Sequence, residues 1–335
     1  MDKITIIGLG LIGSSIGLAL KKAKLEVEVV GHDKERSVEN RAQRAGAVDK
    51  TELNLFTAIK GARLVIIATP VKAIEEVLKL IGPELQEGCI VTDTGSTKGV
   101  VLQWAEQYLP RTVSFVGGHP IAGKEVSGPE GAQADLFKGA TYCIIPGRYA
   151  DREDVRVVVR MVEHMGATPY FIGPVEHDSF AAAVSHLPMV LSAALVKATS
   201  SSPSWLEISR LAATGYRDVT RLASGDPVMS RDICLTNQED IVYWIDEFIK
   251  ELYAFRSLVK EGDESLWKAF DSAWEARDRW MQDKVGARSS APPVNAPTTA
   301  ESMGGIFLGD RAAGKVQEMF DWYKDKENKK NKPRS

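Results

Sequence analysis

KITIIGLGLIG, residues 3 to 13, is the stretch that decides the fold of this chain. It reads as an apolar strand, Lys3–Ile7, that runs into three glycines and is followed by a helical stretch. Gly8 permits a tight turn, Gly10 lets the backbone approach a pyrophosphate, and Gly13 lets the helix pack closely on the strand. The order of strand, glycine turn and helix therefore predicts a site for a dinucleotide.

The start of the predicted helix supplies the groups that bind the phosphates. Backbone amides around Leu11 and Ile12, together with the positive end of the helix dipole, stabilise anionic oxygens without a basic side chain. Asp33 follows the second predicted strand, where its carboxylate can accept hydrogen bonds from the adenosine ribose and would repel a 2′-phosphate. NAD is therefore predicted over NADP, and Lys34 and Arg36, which follow directly, leave NADP open as a second possibility.

The composition is that of a soluble globular protein. The chain has 335 residues, of which 44% are hydrophobic and 26% charged, and this length suggests two domains. Its net charge of −3 gives no footprint for nucleic acid.

Cysteines and apolar runs indicate the compartment. Cys89, Cys143 and Cys234 are far apart and lack CxxC spacing, so neither a disulfide framework nor a thiolate metal site is indicated. Met1 is followed at once by a strand, which leaves no room for a signal peptide, and no run approaches the ~18 apolar residues of a membrane span. A cytoplasmic protein with neither a membrane nor a nucleic-acid partner is predicted.

Residues 1–150 alternate short apolar runs with helical stretches, which predicts a Rossmann-type doubly wound parallel sheet. Ligands of such sheets bind at the carboxyl ends of the strands. At one of these ends Thr69 and Pro70 are predicted to contact the cofactor, and Ser96 and His119 lie at two others. The predicted strands are Lys3–Ile7, Val27–Gly31, Leu64–Ala68, Ile90–Asp93, Ser114–Gly117 and Thr141–Ile145.

Residues 151–285 have a different character and are predicted to form a helical dimerisation and substrate domain. A helix over Val155–Met165 and a short strand over Ala167–Ile172 precede a long region of helical period. The stretch Ala181–Ala198 is too apolar to face water, so we expect a homodimer built through this domain. Residues 286–305 are predicted to be a flexible linker, and residues 306–335 a C-terminal helix and polar tail.

Two segments at strand ends carry polar side chains suited to catalysis. Ser96 lies in DTGSTKG, residues 93 to 99, where it could equally be a helix cap. His119 lies in GGHPIAG, residues 117 to 123, and a histidine at this edge is a general acid or base candidate because its pKa lies near neutrality.

Two segments of the helical half could contact a substrate. Ser185 and His186 lie in SHLP, where proline breaks the helical pattern, and His186 alone reads more readily as a structural histidine. Arg217 and Arg221 lie four residues apart in GYRDVTR, which favours one helix face. Such a pair usually forms salt bridges, and it also suits bidentate binding of a carboxylate.

Taken in order, GLGLIG, DTGSTKG, GGHPIAG, SHLP, GYRDVTR and DPVMSRDI resemble the prephenate and arogenate dehydrogenase family of tyrosine biosynthesis. The resemblance implies oxidation of a cyclohexadienol ring with NAD or NADP and loss of the ring carboxylate as carbon dioxide. It implies that neutral His119 accepts a hydrogen bond from the ring hydroxyl and that Ser96 binds the same hydroxyl. Arg221 matches the family's substrate-carboxylate arginine, with Arg217, Ser185 and His186 as lesser contributors, and no metal is implied.

Two positions depart from the family pattern. Met189 stands where some members have a second histidine, and Ser230 stands where some have a tryptophan. Both fall near the expected position of the substrate side chain, so prephenate and arogenate both stay open as substrates.

Two other classes of protein share part of the pattern. A β-hydroxyacid dehydrogenase would place a catalytic lysine in the second domain, where no convincing lysine is found. A dinucleotide-sensing protein would keep the glycine turn without needing His119.

Overall fold

The computed structural model describes residues 2–124 and 126–282. Within them an eight-stranded sheet has the order β3-β2-β1-β4-β5-β6-β7-β8. Its strands are β1 (Asp2–Ile7), β2 (Val27–His32), β3 (Lys50–Thr51), β4 (Leu64–Ile67), β5 (Ile90–Asp93), β6 (Ser114–Pro120), β7 (Thr141–Pro146) and β8 (Thr168–Phe171).

The helices of the described residues are α1 (Leu11–Lys22), α2 (Arg36–Arg44), α3 (Leu55–Ile59), α4 (Val71–Ile81), α5 (Gly99–Tyr108), α6 (Arg152–His164), α7 (Pro174–Ala181), α8 (Leu187–Ser200), α9 (Trp205–Ser209), α10 (Thr214–Thr220), α11 (Pro227–Thr236), α12 (Gln238–Glu261) and α13 (Leu266–Met281).

The predicted Rossmann-type sheet is confirmed, with two differences in its second half. Strands β1, β2, β4, β5 and β6 are parallel, so their carboxyl ends share one edge. Strand β6 runs on past the predicted end at Gly117, because Gly117, Gly118 and His119 pair with the antiparallel strand β7. Strand β8 pairs with β7, so the sheet extends beyond residue 150.

Apolar residues on both faces of the sheet explain why its central strands read as continuous hydrophobic runs. All four residues of β4 are buried. Ile6 and Ile66 belong to a core cluster that includes Leu20 of α1. Ile67 belongs to a second cluster, with Ile74 of α4. Helices on both faces are the arrangement expected of a doubly wound sheet.

The SHLP segment does not break its helix as the proline suggested. Helix α7 passes into a π-helical turn, Ala182–His186, and the chain continues directly into α8 with Pro188 in its first turn. A proline is tolerated there because the first amides of a helix need no internal acceptor. The wider turn keeps the chain helical, and such turns are frequent at functional sites.

This long helical run also differs from the expectation that no segment could span a membrane. Residues Pro174–Ser200 are long and apolar enough to do so by length and composition, with a mean hydropathy of 1.7 and 28% of the tested window buried. The run also carries His177, Asp178 and His186, which are all buried.

The described residues form two compact units, one reaching Ile241 and the other beginning at Val242. In the second unit α12 and α13 meet through Phe255 and Phe270, whose ring centroids are 5.4 Å apart. The predicted linker, 286–305, and the predicted C-terminal helix and tail, 306–335, lie outside the described residues.

Candidate active site

The glycine turn between β1 and α1 has the geometry that its sequence predicts. Gly8 has a φ of +92°, a value that favours glycine. A Cβ on Gly13 would lie 1.9 Å from the Gly8 carbonyl oxygen, whereas a Cβ on Gly10 would meet nothing within 4 Å. Gly13 therefore closes the turn against the helix, and Gly10 leaves space in front of it.

The groups around this turn fit a dinucleotide. Helix α1 begins at Leu11, so the amides of Leu11 and Ile12 lie at its positive end. The Asp33 carboxylate accepts a hydrogen bond from the Leu9 amide at 2.8 Å, which fixes it beside the turn. Across the edge, the Thr69 methyl group lies against Gly8, and the buried Thr69 hydroxyl has no hydrogen-bond partner within residues 2–124 and 126–282. Pro70, which is exposed, precedes α4.

A buried ion pair organises the next strand ends. Lys98 and Asp93 form a salt bridge with both side chains 0% exposed. The Lys98 ammonium also donates to the Gly118 carbonyl at 2.9 Å, and the Asp93 carboxylate accepts from the Gly95 amide at 2.8 Å and the Gly118 amide at 3.1 Å. The ion pair therefore holds both backbone groups of the residue that precedes His119.

His119 lies at the end of β6, 8% exposed, in a chain of buried polar groups. Its Nδ1 is 2.9 Å from His177 Nε2, and His177 Nδ1 is 2.8 Å from Asp178 Oδ1. The Asp178 carboxylate also accepts hydrogen bonds from the amides of Lys98 and Gly99, each at 2.7 Å, at the start of α5. These contacts join the β6 histidine to α7 of the helical half.

Burial keeps His119 and a second histidine neutral. Desolvation lowers the pKa of His119 well below 6.5, and the proximity of His177, Lys98 and His186, which would repel a charge on His119, acts in the same direction. Desolvation also lowers the pKa of His186 to about 4, with Asp178 acting in the opposite direction. Neutral imidazoles can accept as well as donate hydrogen bonds.

Of the two candidate substrate contacts in SHLP, His186 is buried and Ser185 is exposed. His186 Nδ1 is 3.2 Å from the Asn237 side-chain nitrogen, which also donates to the Asp178 carbonyl at 2.8 Å. Among the described residues, none meets hydrogen-bond geometry with the buried His186 Nε2, although the Ser96 backbone lies close enough to act on the His186 pKa, in the direction that raises it. Ser185 is exposed, and Ser96 is partly exposed in the loop before α5.

The two arginines do not share one regular helix. Arg217 lies in α10, whereas Arg221 begins the 3₁₀ turn Arg221–Ser224. Both are exposed and lie outside the buried histidine network. A hydrogen bond between the Thr199 and Tyr216 hydroxyls, and one from the Ser192 hydroxyl to the Val219 carbonyl, tie this segment to α8.

Four members of the buried network were not assigned a role from the sequence: Lys98, His177, Asp178 and Asn237. Lys98 lies within DTGSTKG, and an adjacent His-Asp pair at the start of an apolar helix was a usable signal. Asn237, which lies between α11 and α12, gave no such signal, because its role depends entirely on tertiary packing.

Comparisons with known proteins agree with this arrangement. Residues 16–170 match the family model for the prephenate dehydrogenase nucleotide-binding domain, and residues 173–272 match the prephenate dehydrogenase dimerization domain.

Named relatives and solved structures extend the comparison. Prephenate dehydrogenase of Bacillus subtilis is 37% identical over 85% of this chain and 78% of its own length, and cyclohexadienyl dehydrogenase of Zymomonas mobilis is 32% identical over 82% and 94%. The crystal structure of Aquifex aeolicus prephenate dehydrogenase in complex with hydroxyphenyl propionate and NAD⁺ has a TM-score of 0.78 and 30% identity, covering 83% of this chain and 98% of that one. Synechocystis arogenate dehydrogenase has a TM-score of 0.69 and 28% identity, covering 83% and 99%.

Proposed function

This chain belongs to the prephenate dehydrogenase family, and we propose that it catalyses the oxidative decarboxylation of prephenate to 4-hydroxyphenylpyruvate with NAD. The reaction is a step of tyrosine biosynthesis. The observation that carries the proposal is His119: a buried, neutral imidazole at the same edge of the sheet as the glycine turn.

The cofactor is held by the glycine turn and its neighbours. Leu11 and Ile12 offer amides to the pyrophosphate, and Asp33 accepts from the ribose. Thr69 offers a buried hydroxyl that no described residue hydrogen-bonds. NAD, when bound, accepts the hydride from the ring carbon that carries the hydroxyl group.

His119 removes the proton of the ring hydroxyl. As the hydride leaves, this hydroxyl becomes a protonated carbonyl and a strong acid, so even an imidazole whose pKa is lowered can accept its proton. The hydrogen bond strengthens as the carbonyl forms, which stabilises the transition state more than the substrate. Ser96 binds the same oxygen and sets its angle to the nicotinamide. The bond to the ring carboxylate then breaks, and its electron pair makes the ring aromatic as carbon dioxide leaves. His119 returns its proton to the ring oxygen, which becomes the phenol hydroxyl of the product.

The helical half supplies the substrate's carboxylate contacts. We assign Arg221 to a bidentate interaction with a substrate carboxylate, with Arg217, Ser185 and His186 as further contacts. The buried Nε2 of His186, which no described residue satisfies by hydrogen-bond geometry, and the proximity of this imidazole to the Ser96 backbone support its part in this assignment.

A homodimer explains the exposed apolar side chains of the helical half. Val184 in the long helical run is 79% exposed, and Trp267 and Trp274 of α13 are 61% and 66% exposed. We propose that a second copy covers these residues rather than lipid, because the long run also carries three buried polar side chains of the histidine network. The protein is then cytoplasmic.

The test is the appearance of NADH at 340 nm with prephenate and with arogenate, each with NAD and with NADP. Arogenate is included because Met189 and Ser230 depart from the family pattern near the substrate side chain. We expect prephenate with NAD to be turned over and His119→Asn to lower kcat by ~10² or more without loss of NAD binding. The exposed His164→Asn serves as the matched control and should leave kcat unchanged.

Either of two results contradicts the proposal. Wild-type protein that binds NAD but turns over neither substrate would instead favour a dinucleotide sensor. A His119→Asn variant as active as His164→Asn would remove the assigned role of His119.

A further inference from the structure

We propose that His177 and Asp178 are positioning residues that place the proton of neutral His119 on Nδ1 and so leave Nε2 as the hydrogen-bond acceptor for substrate. The inference rests on the proposed function only in giving His119 a substrate hydroxyl to accept from. The contacts that join the Asp178 carboxylate to the His177 imidazole, and this imidazole to that of His119, belong to the folded chain and do not depend on the proposed function.

The donor and the acceptor of each hydrogen bond in this chain of side chains can be assigned by starting from the Asp178 carboxylate. Its Oδ1 accepts from the Lys98 amide and its Oδ2 from the Gly99 amide, which holds the carboxylate at the start of α5. A carboxylate is an acceptor only, and each of its oxygens here accepts from a backbone amide. His177 Nδ1, 2.8 Å from Oδ1, must therefore carry a proton and donate it.

The same reasoning passes from His177 to His119. A neutral imidazole with its proton on Nδ1 has only a lone pair on Nε2. His177 Nε2 is 2.9 Å from His119 Nδ1, so His119 must donate across this contact. Neutral His119 then has its lone pair on Nε2, the atom that the His177 contact leaves for substrate.

The ring arrangement limits the alternatives. The two rings are nearly edge to face, with centroids 5.1 Å apart and an interplanar angle of 68°, so one N–H points at one ring nitrogen rather than at a ring face. His177 and Asp178 are both buried, so water does not readily replace either contact. The opposite tautomer of His119 would require a proton on both nitrogens of His177, which means a buried imidazolium.

The pH dependence of this arrangement involves the charged and titratable groups that act on it. Lys98 and His186 act on His119, Asp178 acts on His186, and Asp93 pairs with Lys98. Tyr142, Cys143 and Asp240 interact with Asp93, Lys98 and Asp178 respectively, rather than with the two rings directly.

The tautomer can be measured in the full-length protein without any turnover. The chain has five histidines, so ¹⁵N-histidine labelling gives few signals, and a His119→Asn variant assigns the one in question. At pH 7.5 we expect His119 to show a protonated Nδ1 and an unprotonated Nε2 in a long-range ¹H–¹⁵N spectrum. The reverse pattern at His119, or rapid exchange between the two forms, would overturn the proposal whether or not the protein oxidises prephenate.

Two substitutions at His177 separate a positioning role from a packing role. His177→Leu fills the site but cannot accept from His119 Nδ1, and we expect it to lower kcat ~10–100-fold while KM and NAD affinity change little. His177→Gln carries an amide that can donate to Asp178 and accept from His119, and we expect it to restore kcat to within a few-fold of wild type. The exposed His164→Leu is the control for the substitution itself.

The pattern across these variants decides the role. Equal losses in His177→Leu and His177→Gln, or no loss in either, would contradict the assignment. If His177→Leu does not fold, the ¹⁵N spectrum of the wild type and of His177→Gln still decides it. A wild type inactive on prephenate with the expected ¹⁵N pattern would refute the proposed function and leave the proton arrangement standing.

Discussion

Replacing Lys98 with methionine tests how far the buried ion pair supports the site. Both side chains of the Lys98–Asp93 pair are 0% exposed, so Lys98→Met leaves a carboxylate buried without its cation. Breaking such a pair costs about 3–5 kcal/mol. The amides of Gly95 and Gly118 still donate to Asp93 in this variant. We therefore expect the free energy of unfolding to fall by about 3 kcal/mol, near the lower end of that range. At about 2–4 °C per kcal/mol, the Tm should fall by roughly 6–12 °C.

The loss should be partly reversed in the double variant Asp93→Asn/Lys98→Met, because it removes the charge that the single variant leaves unpaired. Recovery of about 1 kcal/mol or more in a double-mutant cycle would be a normal coupling for groups in contact. The matched control is Lys50→Met, since Lys50 pairs with Glu28 at 3.0 Å with side chains 46% and 37% exposed. A surface pair of this kind contributes little to stability, because both charges stay in water.

Thermal melts at one protein concentration, with and without NAD, measure the change in stability. The value of kcat reports whether His119 keeps its position. Lys98→Met also removes the donor to the Gly118 carbonyl, so kcat should fall even at a temperature where the variant is folded. The reasoning is refuted if Lys98→Met melts within about 2 °C of Lys50→Met, or if the double variant is as unstable as the sum of its singles.

Three further predictions concern the cofactor turn and the buried histidines. Gly13→Ala should lower the Tm, because its Cβ would lie 1.9 Å from the Gly8 carbonyl oxygen. Gly10→Ala should keep the Tm and weaken NAD binding about tenfold or more, as measured by titration calorimetry. Equal effects of the two variants in both assays would contradict this division. Asp33→Ser should reduce the preference for NAD over NADP in kcat/KM, and an unchanged ratio would mean that the carboxylate does not select the cofactor. The pKa values of His119 and His186 are lowered on folding, so below pH 6.5 the unfolded chain binds protons that the folded chain does not, and the Tm should fall from pH 6.5 to 5. For the same reason kcat should stay level from pH 8 to 6.5 and fall only at lower pH, and a loss centred at pH 6.5–7 would show that His119 is not desolvated in solution.

The last of these predictions shows what a sequence alone could not supply. The reference pKa of histidine predicts a loss of activity near pH 6 to 7. The structure moves this loss to lower pH, because His119 is buried and faces a lysine and two further histidines. Burial depends on how the helical half covers the sheet edge, and no local pattern around residue 119 encodes that.

The fold was more predictable than the site because its signals are local. The glycine turn and the apolar runs of β1, β4 and β5 each specify their own backbone, and the structure places all of them as expected. The end of β6 was less predictable, since Gly117 and Gly118 have low strand propensity and their pairing comes from antiparallel β7. Tertiary pairing extended the strand through His119 and fixed the position of its ring.

The cofactor site that we propose and the orientation of His119 depend on different parts of the chain. The glycine turn, Asp33 and Thr69 follow the carboxyl ends of β1, β2 and β4, so the NAD site that we propose depends on the packing of these three strands. The orientation of His119 instead needs α7, because His177 and Asp178 come from it. Asp178 also accepts hydrogen bonds from the Lys98 and Gly99 amides at the start of α5. This one carboxylate therefore connects the helical half to the segment that follows β5. A change that loosens α7 should therefore lower kcat well before it lowers NAD affinity, which is why the positioning residues deserve study apart from the cofactor site.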